Sequence, residues 1–188
     1  NMIGQTLQKM NELISNRNET FTMVAPKQTM FEVMPYKYIG GSEKGQYVKR
    51  LTSDLRKCQW IHIYGKMFTG KTQTLIRVAE HLAFCIWITI KDDEFQNVSI
   101  KELNLQEDTV VIIDGIPNMA KPGTINKCIQ ILSECKEKKC KLITTGYEDA
   151  EVYTKGFVKP NELISVELTG LTENEVEEIM RNHNANEN

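Results

Sequence analysis

Five runs of consecutive apolar and β-branched residues punctuate the chain, over 59–64, 84–90, 109–114, 141–145 and 163–168. Runs of this length with little polar interruption suit parallel strands covered on both faces. Between them the apolar positions change to helical spacing. Tyr47, Leu51 and Leu55 predict a helix over 43–57 with Ser42 as its cap, and Leu75, Val78, Ala79 and Leu82 predict one over 71–85. Ile125, Ile129, Ile131 and Leu132 give a third over 123–138, and Thr172-x-x-Glu175 opens a fourth with a capping box. Strands alternating with helices imply right-handed crossovers, a five-stranded, mainly parallel sheet, and a ligand at the strands' carboxyl ends. Upstream, Leu7, Met10, Leu13 and Ile14 predict a short amphipathic helix over 2–16. Residues 21–38, interrupted by Pro26 and Pro35, read as extended or irregular chain rather than as a central strand.

The connection between the first strand and its helix carries the most specific chemistry. Gly65-Lys66-Met67-Phe68-Thr69-Gly70-Lys71-Thr72 satisfies G-x-x-x-x-G-K-[ST], the phosphate-binding loop or Walker A pattern, at every fixed position. Gly65 and Gly70 let successive N–H groups turn inward as an anion-binding nest. Lys71, at the start of the helix, supplies a point charge to the β and γ phosphates, and the helix N-terminus adds its partial positive charge. The Thr72 hydroxyl is placed for Mg²⁺. Asp114 closes the third strand, where a second carboxylate near that metal belongs, although Asp114-Gly115 is also a turn signal by itself. The fold class expected is therefore α/β, a P-loop NTPase three-layer sandwich with a five-stranded mainly parallel sheet, preceded by an N-terminal helix and extended segment.

Composition narrows the alternatives. The chain has 188 residues, a formal net charge of −2 and 40% hydrophobic residues, enough for one α/β domain with its own core. Nothing in that balance indicates nucleic acid. No apolar run approaches the length of a membrane span, and no secretory signal is evident at the N-terminus, so a cytoplasmic protein is expected. Five cysteines without C-x-x-C spacing read as reduced. Cys128 and Cys135, seven apart, are placed to share the inner face of a helix as small hydrophobes. The scattered His62, His81 and His183 show no metal-ligand spacing.

Taken in order, these segments resemble the signal-transduction ATPases with numerous domains, the STAND class that includes the NB-ARC and NACHT modules, over roughly 36–180. Tyr38-Ile39-Gly40-Gly41 followed by Glu43 resembles the lead-in whose backbone lies near the adenine, so Ile39 and Gly40 join the loop residues as nucleotide contacts. Trp87-Ile88-Thr89-Ile90 is similar to the second NB-ARC strand, and 168–175 resembles the exit into a helical lid. The resemblance implies ATP or ADP with Mg²⁺, held by residues 65–72 with Thr72 and Asp114 toward the metal. It also implies protein partners or neighbouring domains.

Departures from the family pattern separate binding from hydrolysis. Asp114-Gly115-Ile116-Pro117-Asn118 resembles the NACHT Walker B segment, but Pro117 and Asn118 stand where acids are expected, and in the NB-ARC alignment Gly115 replaces the second aspartate. Thr144-Thr145-Gly146 resembles a Thr-Ser/Thr-Arg sensor with glycine in the arginine's place, and Gly41 likewise replaces the lead-in arginine. Asp92, Asp93 or Glu94 after the second strand, or Glu148 and Asp149 after the fourth, are either substitutes for the missing acid or solvated loop charge. The reading is an N-terminal lead-in over 1–37, a nucleotide-binding domain over 38–170, and the start of a lid with a frayed tail over 171–188. As a whole the chain reads as the core of a switch that binds nucleotide and turns it over slowly, a fragment or an unusually short member of its class. The alternatives are an active AAA-like ATPase or small phosphotransferase, and a non-catalytic scaffold.

Overall fold

The sheet explains how the apolar runs come to be buried on both sides. In the computed structural model, which describes residues 21–24, 42–82, 84–90, 92–101, 103–170 and 172–185, the strands are β1 (Phe21–Val24), β2 (Trp60–Tyr64), β3 (Cys85–Ile90), β4 (Val110–Asp114), β5 (Lys141–Gly146) and β6 (Leu163–Glu167). They line up in the order β1-β3-β4-β5-β2-β6. The five expected strands all pair in parallel, and β1 adds a sixth, antiparallel to β3, at the edge. The segment beginning at Phe21 thus does contribute a strand, at a position where one side of the backbone needs no sheet partner. The N-terminal helix expected over 2–16, the rest of the extended segment, and Ile39, Gly40 and Gly41 lie outside the described residues.

Alternation along each strand sends its residues to two separate cores. Trp60, Ile86, Ile88, Val111, Ile113 and Leu142 pack on one face with α3 (Pro122–Glu137) and with the chain after the 3-10 turn Asp92–Asn97. Ile61, Ile63, Cys85, Trp87, Ile112 and Ile143 pack on the other with α1 (Ser42–Asp54) and α2 (Lys71–Glu80). This is a three-layer α/β sandwich. All five cysteines are buried and unbridged, and burial raises the thiol pKa of Cys128 to about 12. Cys128 and Cys135 do fill the inner face of α3.

Some boundaries shift. The first helix expected over 43–57 ends at Asp54, with Leu55 tucked back onto the turn by its N–H donating to Leu51 O at 3.0 Å. The second stops at Glu80 rather than running to 85. A short α4 (Ala150–Thr154) has too few residues to show helical periodicity, and was not expected. The capping box does form at α5 (Glu173–Ala185): Glu175 N–H donates to Thr172 Oγ1 at 3.3 Å while Thr172 N–H donates to Glu175 Oε2 at 2.8 Å.

Candidate functional site

The strand order brings residues 65–72, Asp114 and the Thr144-Thr145-Gly146 strand end together. Strand β5 lies between β2, which leads into residues 65–72, and β4, which ends in Asp114. All three deliver their carboxyl ends to the same edge of the sheet because they run in parallel.

Gly65 leaves β2 at φ 157°, with its N–H donating to Gly146 O at 3.3 Å. A Cβ there would collide with the Leu168 carbonyl oxygen, because the chain leaving β6 passes directly against it. Glycine is thus required at 65 by a close approach as well as by loop geometry. Gly70 caps α2 in the left-handed region, at φ 86° and ψ 25°. Phe68 is also left-handed, at φ 63°, yet is 96% exposed. A bulky residue in that conformation stores strain, of order 1–3 kcal/mol, and such strain clusters at ligand sites. The Thr69 hydroxyl turns into the loop and donates to Lys66 O at 2.9 Å, which leaves its shape to internal bonds.

Lys71 Nζ donates to Gly65 O at 2.8 Å and to Lys66 O at 2.6 Å. Partial burial lowers its pKa, and the nearby Asp114 charge works against that shift. Thr72 Oγ1 donates to Asp114 Oδ2 at 2.8 Å. The other carboxylate oxygen is held by Thr145 Oγ1 at 2.7 Å, and the same threonine hydroxyl accepts from Gly115 N at 2.7 Å. Thr72 and Asp114 present oxygen atoms with lone pairs to spare, so this pair fits a hard divalent cation, which takes oxygen ligands. Gly115 itself sits at φ 83°, so the turn after Asp114 favours glycine where the NB-ARC pattern has an aspartate.

Of the acids expected as substitutes, Glu148 and Asp149 are engaged with backbone groups. Glu148 is not solvated loop charge: its Oε2 accepts from Met119 N at 2.7 Å and ties down the segment after β4. Asp149 caps α4 by accepting from Glu151 N at 2.9 Å. Pro117 is buried, and Asn118 Oδ1 accepts from Ala120 N at 2.7 Å within its own turn. The side chains of Asp92, Asp93 and Glu94 lie outside the described residues.

His62, which shows no metal-ligand spacing in the sequence, has a packing role at this edge. It is fully buried, its Nε2 lies 2.9 Å from Glu148 O and its Nδ1 lies 2.7 Å from Thr144 Oγ1. A carbonyl only accepts, so Nε2 carries the proton. Burial lowers the pKa to about 4, which keeps the ring neutral, so Nδ1 accepts the Thr144 hydroxyl proton. Thr144 in turn accepts from Trp60 Nε1 at 2.8 Å. The imidazole fills the space beside Gly146, where a Cβ would lie 3.0 Å from His62 Cε1 and 3.2 Å from Ile116 Cγ1. Only the alternation that turns His62 into the sheet face beneath β5 could have signalled this from the sequence.

No family model matches the chain, and no curated protein is significantly similar to it. Among solved structures, PCH-2 of C. elegans superposes with a TM-score of 0.51 at 12% identity, over 86% of this chain and 54% of its own. The Hsp104–ADP complex of S. cerevisiae gives 0.60, also at 12% identity, over 85% of this chain and 26% of its own. Both neighbours are AAA+ ATPases. The fold is that of the P-loop NTPases. This chain spans about half of the first neighbour and about a quarter of the second. Among the described residues no helix is long and apolar enough to cross a membrane.

Proposed function

We propose that this chain is the ATP- or ADP-binding core of a STAND-like switch, holding Mg-nucleotide through residues 65–72 and Asp114 and hydrolysing it slowly or not at all. One observation carries the reading: Lys71, Thr72 and Asp114 converge at the carboxyl edge of the sheet, while Asn118, Glu148 and Asp149 are occupied by backbone partners. Cradling phosphates needs loop N–H groups, the lysine and the metal-side oxygens. Hydrolysis needs in addition an oriented water and stabilisation of developing charge. The lead-in at Ile39 and Gly40 supplies adenine contacts in this reading, and neighbouring domains or protein partners would respond to occupancy.

Lys71→Ala tests the binding half. Removing a charge-assisted phosphate contact should weaken Mg-ADP binding, measured by calorimetry, by more than about 1 kcal/mol. Affinity retained within about threefold would sink the assignment. The AAA+ neighbours favour a second reading, an active ATPase whose acid comes from outside the residues described, and sustained turnover would select it.

A further inference from the structure

Both hydroxyls at the end of β5 point to internal partners, Thr144 to His62 and Thr145 to Asp114, and Gly146 brings no side chain. The next residue, Tyr147, is 58% exposed and places its ring centroid 4.8 Å from Lys71 Nζ. The backbone on either side is fixed. Gly146 O accepts from Gly65 N, Glu148 O from His62 Nε2, and the Glu148 carboxylate from Met119 N. The ring is therefore presented from backbone that is hydrogen-bonded on both sides.

The Lys71 ammonium has three N–H donors. Two go to the Gly65 and Lys66 carbonyls, and the face of the Tyr147 ring attracts the same cation. Phosphate oxygens would draw on that ammonium too. The tyrosine ring and the loop carbonyls thus compete with phosphate for one positive charge.

We propose that Tyr147 is a positioning residue of the phosphate site: its ring holds Lys71 back against the loop carbonyls, and the phosphates of a nucleoside di- or triphosphate draw Lys71 out from under it. The inference rests on the phosphate-site reading above. It makes the ring of Tyr147, one residue beyond the glycine that replaces the sensor arginine, the group that registers phosphate occupancy on the α4 side of the site.

Isotope-labelled lysine in the intact chain, with the Lys71 signal assigned by its loss in Lys71→Arg, gives a direct readout by NMR. The Tyr147 ring current should displace the Lys71 ε-methylene resonance, and Mg-ADP should abolish that displacement. Tyr147→Leu should lack it from the start and bind Mg-ADP about two- to fivefold more tightly, the weight of an exposed cation–π contact. Tyr147→Phe, which keeps the ring, should behave as the parent. No displacement, a displacement that persists with Mg-ADP bound, or a Leu variant that binds equally or more weakly overturns the proposal while leaving the phosphate site standing. Failure of parent and variants alike to bind Mg-ADP overturns the phosphate-site reading, and this inference with it.

Discussion

At the scale of single residues, the site is shaped by where a Cβ is not allowed. Gly65 is fixed by the Leu168 carbonyl, and Gly146 by His62 and Ile116. His62 cannot step aside, because both ring nitrogens are hydrogen-bonded and the residue is fully buried. Gly146→Ala should therefore destabilise the protein by about 1–3 kcal/mol in denaturant unfolding, as overpacking of a filled site does. Gly146→Arg should be tolerated less well still. Unchanged stability of the alanine variant would show that the strand end yields more readily than this packing implies. The glycines of the loop were legible from the sequence because each fixed position has a chemical purpose. The reason for Gly146 was not, because it lies in a side chain 84 positions earlier that meets it only through the β2–β5 pairing.

At the scale of elements, the parallel strands announced themselves because runs such as Val110–Ile113 are buried on both faces. Strand β1 did not, since an edge strand shows a weaker pattern, and α4 was too short to display a period. The capping box at Thr172 and Glu175 could be read directly, because its partners are three residues apart. The tie between β2 and the loop after β5 has no such local mark. It runs through His62, whose burial lowers its pKa from 6.5 to about 4, outweighing the raising effects of the Glu148 carbonyl and Asp149. The folded state thus holds the neutral ring, whereas the unfolded chain takes up a proton near the ordinary histidine pKa. This contribution to stability is complete above about pH 6.5 and is lost as pH falls toward 4. Between about pH 7 and about pH 5 the loss should be about 2 kcal/mol by linkage. Urea unfolding at the two pH values should show that increment in the parent and not in His62→Gln. Equal pH dependence in both would contradict a neutral buried imidazole.

At the scale of the whole molecule, a three-layer sandwich collects the 65–72 loop, the Asp114 carboxylate and the end of β5 at one edge of the sheet. That arrangement could be anticipated from the order of strands and helices, since parallel strands place all their carboxyl ends together. Whether the proposed nucleotide would be cleaved there depends on acids that residue types alone left open. Glu148 looked available in the sequence, yet it is bound to a backbone N–H brought near by the fold. The most direct test of nucleotide binding without turnover is to release any nucleotide from the purified protein with acid, identify it chromatographically, and follow added ATP with Mg²⁺ for several hours. A nucleotide-binding core of this kind should retain ADP or ATP, with turnover no faster than about 10⁻³ per second, the scale of a P-loop protein without a stabilising arginine. Sustained hydrolysis at about one per second or more, within the ordinary enzyme range, or a protein that holds no nucleotide at all, would contradict it.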